Sequence, residues 1–279
     1  MTLQQLYSLL RKQLQRKHSS DHAAWVARCL IRYVTGREVW TAPSHMVDHT
    51  ALQRLQAAIQ RLDDGEPLQY VLGEWEFLGI PLEVTPDVLI PRPETEYLVQ
   101  GAFEMCQIPP RVIWDVGTGS GCIAIGVKTH WPNAKVYAFE KSPSALTVAR
   151  RNAHRHQLQV RWVEADFLEV DLNQWPVPDL IISNPPYLER GVDIVAPEVQ
   201  LYEPDMAVYP PGDPLIFYRR IAQYVVRHPQ TALALEINPR FRDELIRLFG
   251  RLLFIPSPMW HSDYCMWMLP EIPKGNMNP

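Results

Sequence analysis

Apolar residues recur at helical spacing in the first part of the chain. Three such stretches, at 3–10, 20–34 and 50–62, predict three helices that pack against one another. The second stretch is followed by Gly36, a typical residue for the end of a helix. The sequence therefore predicts a small all-helical domain over residues 1–66.

Short β-like runs replace the helical pattern after this domain, because Gly and Pro interrupt the chain at close intervals. They predict a hairpin-like connector, which we place at 67–96. Pro91 and Pro93 exclude a regular helix or strand at the end of the connector. A helix then opens at Glu94 or Thr95. The β-like runs lie at 70–72, 76–78 and 82–84.

Strand-like and helix-like stretches alternate from Arg111 onward. This alternation is typical of a parallel sheet with helices on both faces, and it predicts a doubly wound α/β domain over 97–279, with a flexible tail at 270–279. Ser142 and Pro143 form a clear helix start, an N-cap followed by an N1 proline. The predicted strands lie at 112–115, 136–139, 160–163, 180–183, 232–237, 252–255 and 265–269, and the predicted helices lie at 122–128, 144–154, 214–226 and 241–249.

Length and composition indicate a protein with a sizeable core and little electrostatic attraction for nucleic acid. The chain has 279 residues, 47% of them hydrophobic, and a net charge of −4. Residues 1–75 carry nine Lys/Arg and seven Asp/Glu, a net +2, so residues 76–279 carry a net −6. A segment of that charge disfavours nucleic acid as a stable partner.

Cysteine usage and hydropathy indicate a reducing, aqueous compartment. The four cysteines lie far apart and form no C-x-x-C pair, so they predict core thiols rather than disulfides or a metal site. The first twenty residues carry four charged side chains and no apolar core of a signal peptide, and no run of eighteen apolar residues occurs. We therefore expect a cytoplasmic protein with no metal and no membrane partner and, by default, a monomer.

Glycine and acidic residues follow the first three predicted strands of the sheet. The glycines allow a tight turn and a close approach of a ligand to the backbone, while Asp115 would repel a phosphate but accept from a positively charged ligand. Glu140 can accept both hydroxyls of a ribose. Asp166 can accept a hydrogen bond from an adenine amine, and the ring of Phe167 can pack against the adenine face. The first loop comprises Asp115, Gly117, Thr118, Gly119, Ser120 and Gly121.

Each of these features has a plainer explanation when it is considered alone. Glycine loops occur in many doubly wound folds, Glu140 can be a charge at a helix N-terminus, and Asp166 can be an ordinary loop acid. Their combination at the carboxyl ends of successive strands matches a ligand that has adenosine, ribose and a positive charge but no phosphate. We predict that this ligand is S-adenosylmethionine.

The apolar strand at 180–183 stops abruptly at Asn184, Pro185, Pro186 and Tyr187. The prolines stiffen this tip, which displays the Asn184 side-chain oxygen and the Pro185 carbonyl beside an aromatic ring. Two fixed acceptors can hold both hydrogens of a planar NH2 group while Tyr187 covers its face, and this positions the nitrogen for attack on an electrophile. The alternative is a surface turn, because Asn-Pro often marks turns. The prediction is that Asn184, Pro185 and Tyr187 are catalytic.

With these motifs the sequence resembles the bacterial peptide-chain-release-factor glutamine methyltransferase family. The resemblance covers about residues 20 to 225. The glycine loop and Asn-Pro-Pro-Tyr are shared with many amino-methyltransferases, including those that act on nucleic acid, whereas the stretches at 66–77 and 90–96 are more specific. Departures from the family pattern lie at Glu140, where Asp is usual, at 210–215, at 238–240 and in the last strand.

The resemblance implies a class I S-adenosylmethionine-dependent methyltransferase with a Rossmann-like fold and N-terminal helices that dock the substrate. It implies N5-methylation of the glutamine in the Gly-Gly-Gln loop of class-1 peptide chain release factors. Carried over to this chain, it places the cofactor against 117–121, Glu140, Phe167 and Asn184, and the glutamine amide against 184–187. The wall of the substrate pocket would comprise Arg92, Pro93, Glu94 and Thr95.

Two other functions remain open from the sequence. The same fold can methylate an exocyclic amine of nucleic acid, at adenine N6 or guanine N2, although the acidic charge of 76–279 and the family-specific connector argue against it. A non-catalytic scaffold could use the fold to bind a release factor or the ribosome. Such a scaffold, however, has no reason to keep both Asn184 and the glycine loop.

Overall fold

The computed structural model describes residues 1–250, 254–256 and 262–270. The chain forms two compact units, Met1–Glu74 and Trp75–Pro279. The predicted connector therefore contributes residues to both units. The predicted tail beyond Pro270, and the first two residues of the strand predicted at 252–255, lie outside the described residues.

The first unit is helical, as the spacing of its apolar residues predicts. Each of its first three helices begins at a side chain that accepts a hydrogen bond from the first turn, from Thr2, Ser19 and Asp48 respectively. Gly36 ends the second helix with a left-handed φ of 66°. The helices are α1 (Leu3–Leu14), α2 (Ser20–Thr35), α3 (His49–Asp63) and α4 (Leu68–Leu72).

Helix α4 shows that one prediction was wrong. The sequence predicts a β-like run at 70–72, but the chain is helical there. Pro67 precedes the first turn with its φ already set, and Gly73 ends the helix at a φ of 71°. Tyr70 and Val71 are buried, so their packing, rather than their intrinsic β preference, decides the local structure.

The second unit is built on a seven-stranded sheet, with a separate two-stranded sheet. The small sheet pairs β1 (Glu74–Phe77) with β2 (Ile80–Glu83). The strands of the large sheet are β3 (Val112–Val116), β4 (Lys135–Glu140), β5 (Arg161–Glu164), β6 (Leu180–Ser183), β7 (Ala232–Glu236), β8 (Phe254–Pro256) and β9 (Cys265–Pro270). Their order is β5-β4-β3-β6-β7-β9-β8, and the five strands β3 to β7 pair in parallel.

The last two strands depart from the parallel pairing that the alternating pattern predicts. Only eight residues separate β8 from β9, whereas a parallel crossover needs roughly a dozen or more. Strand β9 instead lies antiparallel between β7 and β8, with Leu233 opposite Met268. The sheet is therefore parallel where it carries the predicted motifs and antiparallel at one edge.

Helices cover both faces of the sheet, which confirms the predicted α/β class. The start at Ser142 is also confirmed, because its hydroxyl accepts from the Ala145 N–H at 3.2 Å. Two helices are missing from the prediction, α8 (Pro197–Tyr202) and α9 (Asp205–Val208), because α8 buries none of its residues and α9 is a single turn. The helices are α5 (Pro93–Met105), α6 (Cys122–His130), α7 (Pro143–Arg155), α8 (Pro197–Tyr202), α9 (Asp205–Val208), α10 (Ile216–Val225) and α11 (Arg242–Gly250).

Alternate side chains of β3 enter two different apolar cores. Ile113 packs on one face with Leu98 of α5 and Ile123 of α6. Trp114 packs on the other face with Tyr218 of α10. This two-residue alternation is the expected geometry of a strand that is covered on both faces.

Gly101 allows a test of how closely α5 packs on the sheet. A Cβ atom at this position would overlap the indole of Trp267 in β9, whose Nε1 donates to the Leu98 carbonyl at 2.9 Å. Although Ala is the better helix former, we expect Gly101→Ala to lower the free energy of unfolding by about 1–3 kcal/mol in urea titrations, because the core is overpacked.

Gly250→Ala is the matched control. Gly250 ends α11, and no atom of the described residues lies within 4 Å of the position of its added Cβ. This variant is expected to unfold at the wild-type urea concentration or slightly above it. An unchanged unfolding midpoint for Gly101→Ala would contradict the close packing of α5 against β9.

Candidate active site

The strand order brings the ends of the central strands to a single crevice. Strand β3 lies between β4 and β6, so the chain builds the sheet outward in opposite directions from β3. Such a reversal opens a crevice outside the carboxyl ends of the strands, where open α/β sheets bind ligands. The glycine loop follows β3, Glu140 ends β4, and Asp166 and Asn184 follow β5 and β6.

The glycine loop turns through three residues with left-handed backbone. Their φ angles are 73° at Gly117, 54° at Gly119 and 84° at Gly121, a region that favours glycine. The N–H groups of Gly117 and Thr118 donate to a carbonyl of β4 at 2.9 and 3.0 Å. The loop is thereby held so that Gly117 and Gly119 line a cavity, while the side chains of Thr118 and Ser120 are buried.

Asp115 lies behind this loop and is fully buried. Its Oδ2 accepts from the Thr118 hydroxyl at 2.5 Å and from the Ala124 N–H at 3.0 Å. Burial raises the pKa of Asp115 to about 7 against the effect of these two hydrogen bonds. The expectation that Asp115 meets a charged ligand is therefore corrected, because its side chain joins the loop to α6 and does not line the cavity.

The cavity beside the loop has a volume of about 450 Å³. Glu140, Asp166 and Phe167 all line it, as their positions at strand ends predict. Glu140 Oε2 accepts from the Gly119 N–H at 3.0 Å, and its Oε1 accepts from the Ser142 N–H at 2.9 Å. These bonds fix the carboxylate and leave acceptor capacity on both oxygens, since each has two lone pairs.

Acidic side chains outnumber basic ones around this cavity. Lys141 Nζ lies 2.7 Å from Asp166, and Arg190 is ion-paired with Asp205. Every Lys and Arg that lines the cavity in the described part of the chain is therefore already paired, which suits a positively charged ligand without phosphate. The charged lining residues are Asp87, Glu140, Asp166, Asp205, Lys141 and Arg190.

Asn184 lies where this cavity meets a smaller one of about 90 Å³. Its Nδ2 donates to the hydroxyl of Thr95, a buried residue of α5, at 3.1 Å. Within the described residues no group donates to Asn184 Oδ1. Pro185, Pro186 and Tyr187 line the smaller cavity as well, so the predicted group of four is assembled around one small space.

Arg92 forms part of the wall of the smaller cavity. It is ion-paired with Glu203, whose side chain is 1% exposed and whose Oε2 also accepts from the Ile90 N–H at 3.2 Å. Burial raises the pKa of Glu203, and the charge of Arg92 opposes that shift. The other three predicted pocket residues, at 93–95, occupy the first turn of α5 and line neither cavity.

Glu236 also belongs to the site, although it is not among the residues predicted from the sequence. It ends β7, is 2% exposed and lines the smaller cavity. Its Oε2 accepts from the Thr95 hydroxyl at 2.6 Å, and its Oε1 accepts from the Tyr187 hydroxyl at 3.1 Å. Burial raises the pKa of Glu236 to about 7. In the structure Glu236 ends an apolar strand as Glu140 does, although the strand predicted at 232–237 places it one residue inside the strand.

The same described ranges show neither a metal cluster nor a membrane-spanning helix. They contain no group of three or more His, Cys, Asp or Glu side chains placed to hold a metal ion. Their helices include none that is both long and apolar enough to cross a membrane. All four cysteines are free thiols, and Cys122 and Cys265 are buried.

Two protein-family models match the chain. The methyltransferase small domain matches residues 96–199, and the PrmC N-terminal domain matches residues 5–73. Among solved structures, a methyltransferase from Pyrococcus furiosus has a TM-score of 0.52 at 18% identity, over 78% of this chain and 98% of that one. The predicted methyltransferase fold with an N-terminal helical part is confirmed.

Bacterial proteins named release factor glutamine methyltransferase match most of the chain. The one from Flavobacterium psychrophilum is 35% identical over 223 residues, which span 76% of this chain and 77% of the relative. The one from Bordetella pertussis is 42% identical over 203 residues, which span 70% and 74%. At such identities over so much of both sequences, this chain belongs to the release factor glutamine methyltransferase family.

Proposed function

We propose that this protein transfers a methyl group from S-adenosylmethionine to the side-chain nitrogen of the glutamine in the Gly-Gly-Gln loop of class-1 release factors. The observation that carries the proposal is the position of Asn184. It joins a large and a small cavity, and its Oδ1 is available as an acceptor. The names of the relatives support a release factor as the substrate.

The larger cavity fits S-adenosylmethionine in size and in charge. Its volume of about 450 Å³ lies within the roughly 300–1,000 Å³ of small-molecule sites. Glu140 would accept from the ribose hydroxyls, and Asp166 with Phe167 would hold the adenine. The backbone of Gly117 and Gly119 would allow the close approach. When bound, S-adenosylmethionine supplies a methyl group on a positively charged sulfur.

The smaller cavity suits the side chain of a glutamine. Asn184 Oδ1 and the Pro185 carbonyl each accept one hydrogen of the amide NH2 group, while the ring of Tyr187 covers its face. Holding both hydrogens takes the nitrogen lone pair out of conjugation and directs it toward the larger cavity. Apolar side chains that line the cavity exclude water from this arrangement. They are Leu89, Leu188, Val199, Ala207 and Val208.

No side chain is assigned as a general base. A nitrogen that has gained a fourth substituent is strongly acidic, so it loses its extra proton to water as the methylated glutamine leaves the cavity, without a side-chain base. The task of the protein is therefore to position the amide and to place acceptors where its hydrogens point.

We also propose that the protein acts as a monomer in the cytoplasm, without a membrane or a stable nucleic-acid partner. The residues that form both cavities all belong to the unit Trp75–Pro279, so no second copy is needed to complete them. The net −6 of residues 76–279 opposes attraction to phosphate-rich polymers.

The first prediction concerns the substrate. When the protein is incubated with methyl-labelled S-adenosylmethionine and a class-1 release factor, peptide mapping is expected to find label on the Gly-Gly-Gln glutamine alone. A release factor that carries Glu in place of that glutamine is the control and is expected to remain unlabelled, because a carboxylate has no NH2 hydrogens. Label on nucleic acid but not on the release factor would contradict the proposal and favour an exocyclic-amine methyltransferase.

The second prediction concerns Asn184. Asn184→Ala removes an acceptor that acts on the reacting group, so kcat is expected to fall by about 100-fold or more. The Kd for S-adenosylhomocysteine, measured by calorimetry, is expected to change by less than about fivefold, because the other residues that line the larger cavity remain.

Asn173→Ala makes the same change in an exposed turn and is the matched control. It is expected to leave both kcat and Kd at their wild-type values. Equal losses of turnover and cofactor affinity in Asn184→Ala would rule out the assigned role.

The third prediction concerns Glu140. Glu140→Gln removes a charged acceptor from the cavity, and the Kd for S-adenosylhomocysteine is expected to rise by about tenfold or more. Glu164→Gln provides the comparison, because Glu164 pairs with Glu140 across the sheet but is exposed and does not line the cavity. The two variants binding with equal affinity would show that Glu140 does not contact the ribose.

A further inference from the structure

The side-chain amide of Asn184 has two ends of similar shape but opposite hydrogen-bonding character. Oδ1 accepts hydrogen bonds, whereas Nδ2 only donates them. If the amide turned over, the NH2 group of a substrate would meet a second NH2 group. Groups beyond Asn184 must therefore determine which end faces the substrate.

Thr95 and Glu236 determine this orientation through the direction of two hydrogen bonds. An ionised Glu236 can only accept, so the Thr95 hydroxyl must donate its single hydrogen to Oε2, at 2.6 Å. Thr95 Oγ1 is then left with lone pairs, and it accepts from Asn184 Nδ2 at 3.1 Å. Asn184 Oδ1 consequently points away from Thr95.

Glu236 is itself fixed from two sides. The Tyr187 hydroxyl donates to its Oε1 at 3.1 Å, and the Tyr218 hydroxyl donates to its backbone carbonyl at 2.7 Å. Glu236 and Thr95 are each 2% exposed, so water does not compete for these bonds. The same carboxylate therefore holds the amide of Asn184 and the ring of Tyr187.

We propose that Glu236 is a positioning residue for the substrate amide. Through Thr95 it turns Asn184 Oδ1 toward that amide, and by its own hydrogen bond it turns the Tyr187 ring toward it as well. This inference rests on the proposed methylation of a glutamine amide. It adds to that function the residues that select the productive orientation of the acceptor.

Protonation of Glu236 would remove this control. A neutral carboxyl has a hydrogen to donate to Thr95 Oγ1, which releases the hydroxyl hydrogen for Asn184 Oδ1 and lets the amide turn over. Burial raises the pKa of Glu236 to about 7, so the ionised form is lost as the pH falls through neutrality. Turnover is therefore expected to decrease on the acid side of pH 7.

The other titratable groups that face Glu236 come from several elements of the second unit. Among them, the Glu94 carboxylate raises the pKa of Glu236 and the Arg92 guanidinium lowers it. Burial raises the pKa values of the two tyrosines above their ordinary range and those of the two thiols to about 12, so these four groups do not change charge near pH 7. The groups are Arg92, Glu94, Tyr187, Tyr218, Cys122 and Cys265.

Threonine variants test the inference with a release factor as substrate and saturating S-adenosylmethionine. Thr95→Val keeps the shape but removes the hydroxyl, and kcat at about pH 8 is expected to fall by roughly tenfold or more through misplacement of Asn184. The Kd for S-adenosylhomocysteine is expected to stay within about twofold of the wild-type value, because Thr95 does not line the larger cavity. Thr95→Ser restores the hydroxyl and is expected to restore turnover.

Thr231→Val is the matched control for the loss of a buried hydroxyl. Thr231 is fully buried at the amino end of β7, opposite the site, and donates to the Pro178 carbonyl at 2.8 Å. Its replacement is expected to lower the unfolding temperature as Thr95→Val does, but to leave kcat unchanged. The control separates a loss of stability from a loss of positioning.

The pH profile of kcat provides the second test. Glu236→Gln presents either its oxygen or its NH2 group to Thr95, so it no longer imposes one orientation. Its kcat is expected to be several-fold below wild type at about pH 8, and the decrease below pH 7 is expected to disappear. Asp115 also has a raised pKa, but it lies on the cofactor side of the site. Its titration is therefore expected to change the affinity for the cofactor and to leave kcat at saturating cofactor unchanged.

The outcomes separate this inference from the proposed function. A wild-type kcat in Thr95→Val would overturn the inference, and so would a decrease of kcat at acid pH that remains in Glu236→Gln. In either case, labelled glutamine in the wild-type reaction would still support the proposed function. No labelled glutamine in the wild type would overturn the function, and the inference with it. Reduced kcat in Thr95→Val, with rescue by Ser and loss of the acid decrease in Glu236→Gln, is the result we expect.

Discussion

Parallel pairing of the five strands β3 to β7 determines where the chemistry of this protein lies. Parallel strands end at the same edge of a sheet, and the reversal of strand order at β3 opens that edge into a crevice. Glu140 ends β4 on one side of the reversal, and Glu236 ends β7 on the other. The two cavities follow from this division, and Asn184, which follows β6 beside the reversal, lines both of them.

Two buried carboxyl groups support the two halves of the site. Asp115 accepts from Thr118 behind the glycine loop, and Glu236 accepts from Thr95 behind Asn184. Burial of a carboxylate is unfavourable unless donors compensate for the lost water. In both places a threonine hydroxyl is such a donor, and it transmits the position of the carboxylate to the element that faces the ligand.

Sequence patterns predict most of this fold but only part of the candidate site. The alternation of apolar stretches is enough to predict the sheet and its helices, because each element must bury an apolar face. It is not enough for α4, where packing outweighs local preference, or for β9, where a short connection sets the direction. Side chains such as Glu140 and Asp166 are found because acids directly after strands lie at the ligand edge.

Asp115 and Glu236 show why the rest is harder to predict. The predicted strand ends at Asp115, whereas β3 continues through Val116 and carries Asp115 into the buried sheet. The strand predicted at 232–237 places Glu236 inside the sheet, whereas β7 ends at Glu236, beside the cavity. A shift of one residue in a strand boundary thus decides which side chain lies inside the sheet and which lines a cavity.

The most direct test of this account is a crystal structure of the protein with S-adenosylhomocysteine and a release factor. We expect the glutamine amide nitrogen to lie within about 3.2 Å of both Asn184 Oδ1 and the Pro185 carbonyl, with Asn184 Nδ2 still donating to Thr95. A glutamine bound outside the smaller cavity, or an Asn184 amide that donates to the substrate, would contradict it.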